Sequence, residues 1–274
     1  MLGCAFEGCG VQAIAHVGVL KVLEEKKIQL THVCGSSAGA MIATMVACRL
    51  SYDVIKQIVL ETDYTTFINN DPWNLFRLIT YYGWNTGDAI VQSSKHILLK
   101  YIGNADITLN QIKNNYDMTL IITATSVAQS STMYYSPYTT PDMRVIDAIR
   151  ESSSIPILYQ PVVKKNDMMV DGGVLDNYLI EKLYDYLPTS KVFGVRLMSK
   201  TTALPTNIVQ YISKIIKTMH DQADDIYITN NDLKNTIIID VGTIAATDFN
   251  IKPDQKLWLM DQGEAAALKF FTLY

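Results

Sequence analysis

"THVCGSSAGAMIATMVAC", residues 31–48, decides the fold. Thr31 to Cys34 has the composition of a short buried strand, Gly35 to Gly39 is a turn of small residues, and the remainder is a helical run whose small side chains suit tight packing on a sheet. The turn itself, Gly35-Ser36-Ser37-Ala38-Gly39, fits the G-x-S-x-G pattern of a nucleophile elbow. A serine on a sharp strand-to-helix turn needs small neighbours on both sides, because larger side chains there would meet adjacent backbone. The Oγ of Ser37 then stands at a helix N-terminus, whose dipole favours developing negative charge. Taken alone, the pentapeptide is equally a glycine-rich helix start with no chemistry.

"GCGVQAIAHVGVLKVLEE", residues 8–25, follows the same plan: an apolar strand from Leu2 to Phe6, a glycine turn, then a helix with Ile14, Val17, Leu20 and Leu23 on its apolar stripe and His16 on the opposite side. Two consecutive strand-turn-helix units imply a parallel sheet with right-handed crossovers. The N–H groups of the glycine turn are expected to converge, as an anion site requires. Gly8-Cys9-Gly10-Val11-Gln12-Ala13 also fits the dinucleotide fingerprint, but a dinucleotide needs an acidic residue at the end of the second strand, and "HVCGSSAG" (32–39) has none.

From about residue 51 to 112 the pattern is helical and irregular, with aromatics in "NDPWNLFRLITYYGWN" (70–85) and no clear strand, which identifies a candidate cap. Strands return with "MTLIITATSV" (118–127) and "TMYYS" (132–136). A helix is expected in "DMRVIDAIRESSSIP" (142–156), with Asp142 as N-cap and Pro156 as terminator. "DMMVDGG" (167–173) is a strand that breaks at Asp171; "KVFGVRLM" (191–198) and "TIIIDVG" (236–242) are further strands, and residues 207–223 and 254–271 are expected helices. Asp171-Gly172-Gly173 is by itself an ordinary turn; beside an elbow, Asp171 becomes a candidate general base.

The composition suits one catalytic domain: 274 residues, 49% hydrophobic and 18% charged. A net charge of −4 carries no basic footprint for nucleic acid. No apolar run reaches the ~20 residues that span a bilayer, and "MLGCAF" has no signal-peptide pattern, so a cytoplasmic chain is expected. Cys4, Cys9, Cys34 and Cys48 lack metal spacing and are expected as buried free thiols. Neither a metal nor any other cofactor is expected.

In order, the glycine loop, the G-x-S-x-G serine and the distant Asp-Gly-Gly resemble the motifs of the patatin-like phospholipase family. "EGCGVQAIAHVGVLKVLEE" (7–25), "VCGSSAGAM" (33–41), "SSSIPILYQPV" (152–162) and "VDGGVLDN" (170–177) each resemble family segments, so the likeness covers most of the chain outside the cap. It implies a three-layer α/β/α fold with a mainly parallel central sheet in a single domain over 1–274, within which the helical pattern of 51–112 is the candidate cap. It also implies a phospholipase A type acyl hydrolase acting on a phospholipid or other acyl lipid, with Ser37 as nucleophile and Asp171 as base. Gly8, Cys9 and Gly10 would form the oxyanion loop; Gly35, Gly39, Gly172 and Gly173 complete the motifs. Two departures stand out: the family commonly has a third glycine where Cys9 stands, and a basic residue then glycine where Gln12 and Ala13 stand.

Two other readings remain open on the sequence. Ser37, Asp171 and His220 have the chain order of an ordinary Ser-Asp-His hydrolase, although His220 lies in a helical stretch. A lipid-binding protein that kept the fold without activity is the other, motivated by Gln12. Trp73, Phe76, Tyr81, Tyr82 and Trp84 are expected to pack within the cap, with peripheral membrane docking as the alternative. The helical stripe Ile208, Ile212, Ile215 and Met219 is expected to face the core.

Overall fold

The structure is a computed structural model that describes residues 1–68, 71–199 and 230–272, with 204–206, 208, 210–212, 214, 215 and 218 between them. The strands are β1 (Gly3–Phe6), β2 (His32–Gly35), β3 (Gly83–Asn85), β4 (Thr119–Ser126), β5 (Ser131–Tyr135), β6 (Ile157–Tyr159), β7 (Val162–Lys164), β8 (Asp167–Asp171), β9 (Val192–Met198) and β10 (Thr236–Asp240). The helices are α1 (Ile14–Glu25), α2 (Ser37–Ala47), α3 (Tyr52–Glu61), α4 (Asn74–Tyr81), α5 (Asp88–Ile102), α6 (Leu109–Tyr116), α7 (Val145–Ser152), α8 (Ile180–Leu183), α9 (Asn230–Lys234) and α10 (Pro253–Thr272).

An eight-stranded mixed sheet forms the centre, in the order β10-β9-β1-β2-β4-β8-β7 with β5 also paired to β4. Its first five strands are parallel, as two strand-turn-helix units in succession require; β5 and β8 run against them, and β7, antiparallel to β8, runs with them. β4 is buried along its whole length and has partners on both edges. Ile122 pairs with Gly35 of β2 and with Tyr135 of β5, so those two strands occupy opposite edges. Ala124 pairs with Asp171 of β8 and with Met133 of β5 in the same way. β2 and β8 therefore lie end to end on one edge of β4, and because one runs with β4 and the other against it, their C-terminal ends meet there.

α1 is buried on nearly all sides, between the sheet and α10. The two helices touch at glycines: a Cβ on Gly18 would lie 1.9 Å from the Met260 carbonyl oxygen, and one on Gly263 would lie 1.9 Å from that of Ala15. His16, placed by the sequence opposite the apolar stripe of α1, is fully buried there and stacks edge-on against Phe6 of β1 with ring centroids 5.4 Å apart. At the far end of α3, the Lys256 ammonium of α10 donates to the carbonyls of Val59, Leu60 and Thr62 at 2.7–3.1 Å, a cation on the negative end of a helix.

Several expectations are corrected. The cap region contains a strand: β3 pairs in parallel with β6, and Gly83 permits it, since a Cβ there would lie 2.1 Å from the Gln160 nitrogen. α7 begins at Val145 rather than after Asp142, because Arg144 is extended and bridges Thr108. Trp73, Phe76, Tyr81 and Tyr82 are exposed rather than packed, and Trp84 alone of the five is half-buried. Ile208 and Ile215 are exposed, against the expectation of a core-facing stripe, and Met219 and His220 lie outside the described residues, as does most of the expected 207–223 helix. All four cysteines are free thiols, with Cys9 only partly buried.

Candidate active site

Gly35 and Asp171 face β4 residues two positions apart, roughly 6–7 Å of strand rise. The turns that leave β2 and β8 consequently share one space. Ser37 opens α2 with φ at +51°, the left-handed region that costs a non-glycine residue about 1–2 kcal/mol. Its N–H donates to Ser152 Oγ at 2.8 Å, which holds the strained peptide from the end of α7. The flanking glycines are required by the backbone beside them: a Cβ on Gly35 would lie 2.4 Å from the Gly39 carbonyl oxygen, and one on Gly39 would lie 2.3 Å from that of Phe6.

Asp171 is buried. Its N–H donates to the Ser154 carbonyl at 3.0 Å and its Oδ1 accepts the Gly173 N–H at 2.8 Å. Gly172 lies so close to β4 that a Cβ would come 2.5 Å from the Thr123 carbonyl oxygen. Burial pushes the Asp171 carboxyl up to about 7, against the opposing pull of the Ser37 side chain and the Gly173 N–H. Oδ2 is buried without a hydrogen-bond partner of ordinary geometry, and the Ser37 side chain is near enough to act on the carboxyl's pKa.

The glycine loop divides its labour. Gly8 donates its N–H to the Asn177 carbonyl at 3.2 Å and accepts from Asn177 Nδ2 at 2.8 Å, so its peptide ties the loop to the Asp171 turn and does not face the cavity. Cys9 turns its thiol toward the Glu7 carbonyl at 3.5 Å and the ring of His16. His16 is held neutral, its pKa lowered to about 4 by burial, with Nε2 3.0 Å from the same carbonyl. Gly10, with φ at +55°, is the one of the three that lines the cavity beside Ser37 and Ala38. Gln12, which stands where the family commonly has a basic residue, is buried and donates to the Ile244 carbonyl at 2.5 Å, while the Val11 N–H donates to the Ala246 carbonyl at 2.9 Å.

Ser37 opens onto a cavity of about 90 Å³ whose walls are almost entirely apolar, drawn from α2, α3, α5 and the 153–159 segment. The Ser153 hydroxyl, buried and unpartnered, is one of the few polar groups in that wall. Among the described residues, no group of three or more His, Cys, Asp or Glu is placed to hold a metal ion. Ser152 and Asn177 were given no role on sequence grounds; the run of serines before Pro156 and the asparagine six residues after Asp171 are the signals that mark them.

The patatin-like phospholipase family model matches residues 4–184. The chain belongs to that family. This makes it a hydrolase, and its mainly parallel sheet flanked by helices is the family's fold. The chain is 29% identical over 272 residues to the uncharacterized protein R571 of Acanthamoeba polyphaga mimivirus, a match covering 94% of this chain and 90% of that protein. It is 25% identical over 187 residues to the probable lipid hydrolase 463L of Invertebrate iridescent virus 6, covering 65% of this chain and 62% of the other. Among solved structures, VipD from Legionella pneumophila shares the fold with a TM-score of 0.68 at 19% identity, over 99% of this chain and 66% of that one.

A raised carboxyl pKa has a consequence for stability. The unfolded chain releases the Asp171 proton near the ordinary carboxylate value of about 3.9, the folded protein only near 7, so folding stability from the protonated group is present below pH 4 and lost as pH rises toward 7. Asp171→Asn is insensitive to this. Its melting temperature relative to wild type is expected to climb between pH 4 and pH 8, by an amount corresponding to a few kcal/mol; a difference that stays constant over that range would contradict the burial of an ionising carboxylate.

Proposed function

We propose that the protein is a lipid acyl hydrolase that cleaves phospholipid or related acyl esters through a Ser37–Asp171 dyad and an acyl-enzyme. The observation that carries this is the meeting of a left-handed serine and a carboxyl pushed up to about 7 by burial, at the mouth of an apolar cavity. An ordinary carboxylate, at about 3.9, is a feeble base toward a serine hydroxyl, and burial narrows that gap by strengthening the base.

In the proposed reaction, Asp171 takes the Ser37 Oγ proton as Oγ attacks the ester carbonyl carbon. The oxyanion is held by the Gly10 N–H and by the first free N–H of α2, at Ala38. Asp171 then returns the proton to the departing alcohol, leaving the fatty acyl group on Ser37. Water attacks the acyl-enzyme, Asp171 accepts its proton, and the collapse of the second tetrahedral species frees the fatty acid and restores the serine. With Gln12 committed to Ile244, the oxyanion site relies on oriented backbone dipoles in a dry cavity.

Access to a lipid surface falls to α4. Trp73 and Ile79 are 64% and 71% exposed, and Leu75, Phe76, Tyr81 and Tyr82 are exposed beside them, more apolar surface than scattered single residues leave on a soluble face. We assign this surface to peripheral contact with the membrane that presents the substrate.

Fatty-acid release from a mixed phospholipid panel tests the reaction. Ser37→Ala is expected to abolish it and Asp171→Asn to lower it by about 10²-fold or more. Since the base acts when ionised, wild-type kcat/KM should rise with pH and level off above about 7. Release that persists in Ser37→Ala would remove the proposal. For the surface, Trp73→Ala combined with Phe76→Ala should weaken liposome binding several-fold while sparing hydrolysis of a soluble short-chain ester; equal losses on both would assign these side chains to the pocket instead.

A further inference from the structure

The cavity beside Ser37 does not stand alone. A second cavity, of about 20 Å³, lies further along α2 and is bounded by Thr44, Cys48, Leu50, Ser94, Leu98 and Ile149, at the junction of α2, α5 and α7. Met41, Met45 and Ile97 line both. The wall between the two spaces is therefore these three side chains, and two of them are methionines, unbranched and able to change rotamer without crossing a β-branch. The far cavity is apolar apart from small polar groups already satisfied or idle: Thr44 Oγ1 donates to the Ala40 carbonyl at 2.8 Å, and the Ser94 hydroxyl is buried with no partner at all. A buried hydroxyl without a partner, facing a void, marks a place where packing stops short.

We propose that the two cavities are the near and far parts of one acyl channel running along α2, with Met41, Met45 and Ile97 as a displaceable partition that sets the acyl chain length. This deepens the acyl-hydrolase assignment and rests on it. A short acyl group fills the space next to Ser37 and leaves the partition in place. A long one swings the methionine side chains aside and puts its terminal methylenes between α2, α5 and α7. Chain selectivity is then decided at Met45 in the partition and at Ser94 beyond it, and not at the groups that perform the chemistry.

Two substitutions act on the channel in opposite directions. Met45→Ala removes the partition and joins the spaces; Ser94→Leu fills the far space and breaks no hydrogen bond. For the ratio of kcat/KM on a palmitoyl ester to that on a hexanoyl ester, Met45→Ala should raise the value about tenfold and Ser94→Leu lower it about tenfold, the discrimination that roughly two buried methylenes provide. Cys48→Leu, which fills the same space from α2, serves where Ser94→Leu does not fold, and Met41→Ala serves in place of Met45→Ala. A ratio that is the same in all variants as in wild type would overturn the channel. Absence of hydrolysis of both esters by every protein, wild type included, would count against the hydrolase assignment instead. Binding of palmitate and hexanoate to the same proteins then decides the channel without turnover, by whether the preference for palmitate shifts with Met45 and Ser94 or stays flat.

Discussion

Everything at the centre of this molecule depends on one edge of β4 being shared by two strands. β2 occupies its first half and β8 its second, running in opposite senses, so that two turns separated by more than 130 residues of chain finish against each other at Ile122 and Ala124. A slip of one residue in either ladder would turn the paired side chains to the other face of the sheet, so the pairing register also fixes which way Ser37 and Asp171 are presented. The glycines follow from the same crowding. Where two strand ends converge on a third strand, backbone lies within van der Waals reach of backbone, and Gly35, Gly39 and Gly172 are the positions where a Cβ would strike a carbonyl.

The groups that meet at the Asp171 carboxyl and the glycine loop are mostly uncharged. His16 is neutral, Gln12 faces a carbonyl, and the hydroxyls of Ser152 and Ser153 stand around the elbow. Such surroundings cost a carboxylate much of its solvation, which is the cause of the raised Asp171 pKa, and in the proposed reaction they leave oriented backbone groups as the means of meeting negative charge. The family match ends at residue 184, yet the loop that carries Gly10 is pinned from beyond it, by the carbonyls of Ile244 and Ala246. Closing the glycine loop is thus a task for the part of the chain after the matched segment.

The elbow and the Asp-Gly-Gly turn were legible in the sequence because glycine at fixed offsets from a serine or aspartate has a local steric cause. The parallel strands and α2 were legible from apolar runs and small residues. What could not be read depends on contacts distant in the chain. β3 is three residues long and exists through its pairing with β6, and α7 starts late because Arg144 is claimed by Thr108. Gly8 matched the loop motif as well as Gly10 did, and only its bonds to Asn177 separate a tether from a lining residue. The exposure of the α4 aromatics was likewise beyond periodicity, which gives a helix an apolar face without saying what covers it.

The central claim is that the β4 edge delivers Ser37 to Asp171 and that the carboxylate activates the hydroxyl. Covalent labelling by a long-chain alkyl fluorophosphonate, with the modified residue located by peptide mass spectrometry, reads that activation directly and independently of substrate headgroup. A single adduct on Ser37 in the wild-type protein, with a labelling rate that rises through about pH 7 and falls by two orders of magnitude or more in a folded Asp171→Asn variant, is the result predicted. Labelling of another residue, or of Ser37 at an undiminished rate in Asp171→Asn, would contradict it.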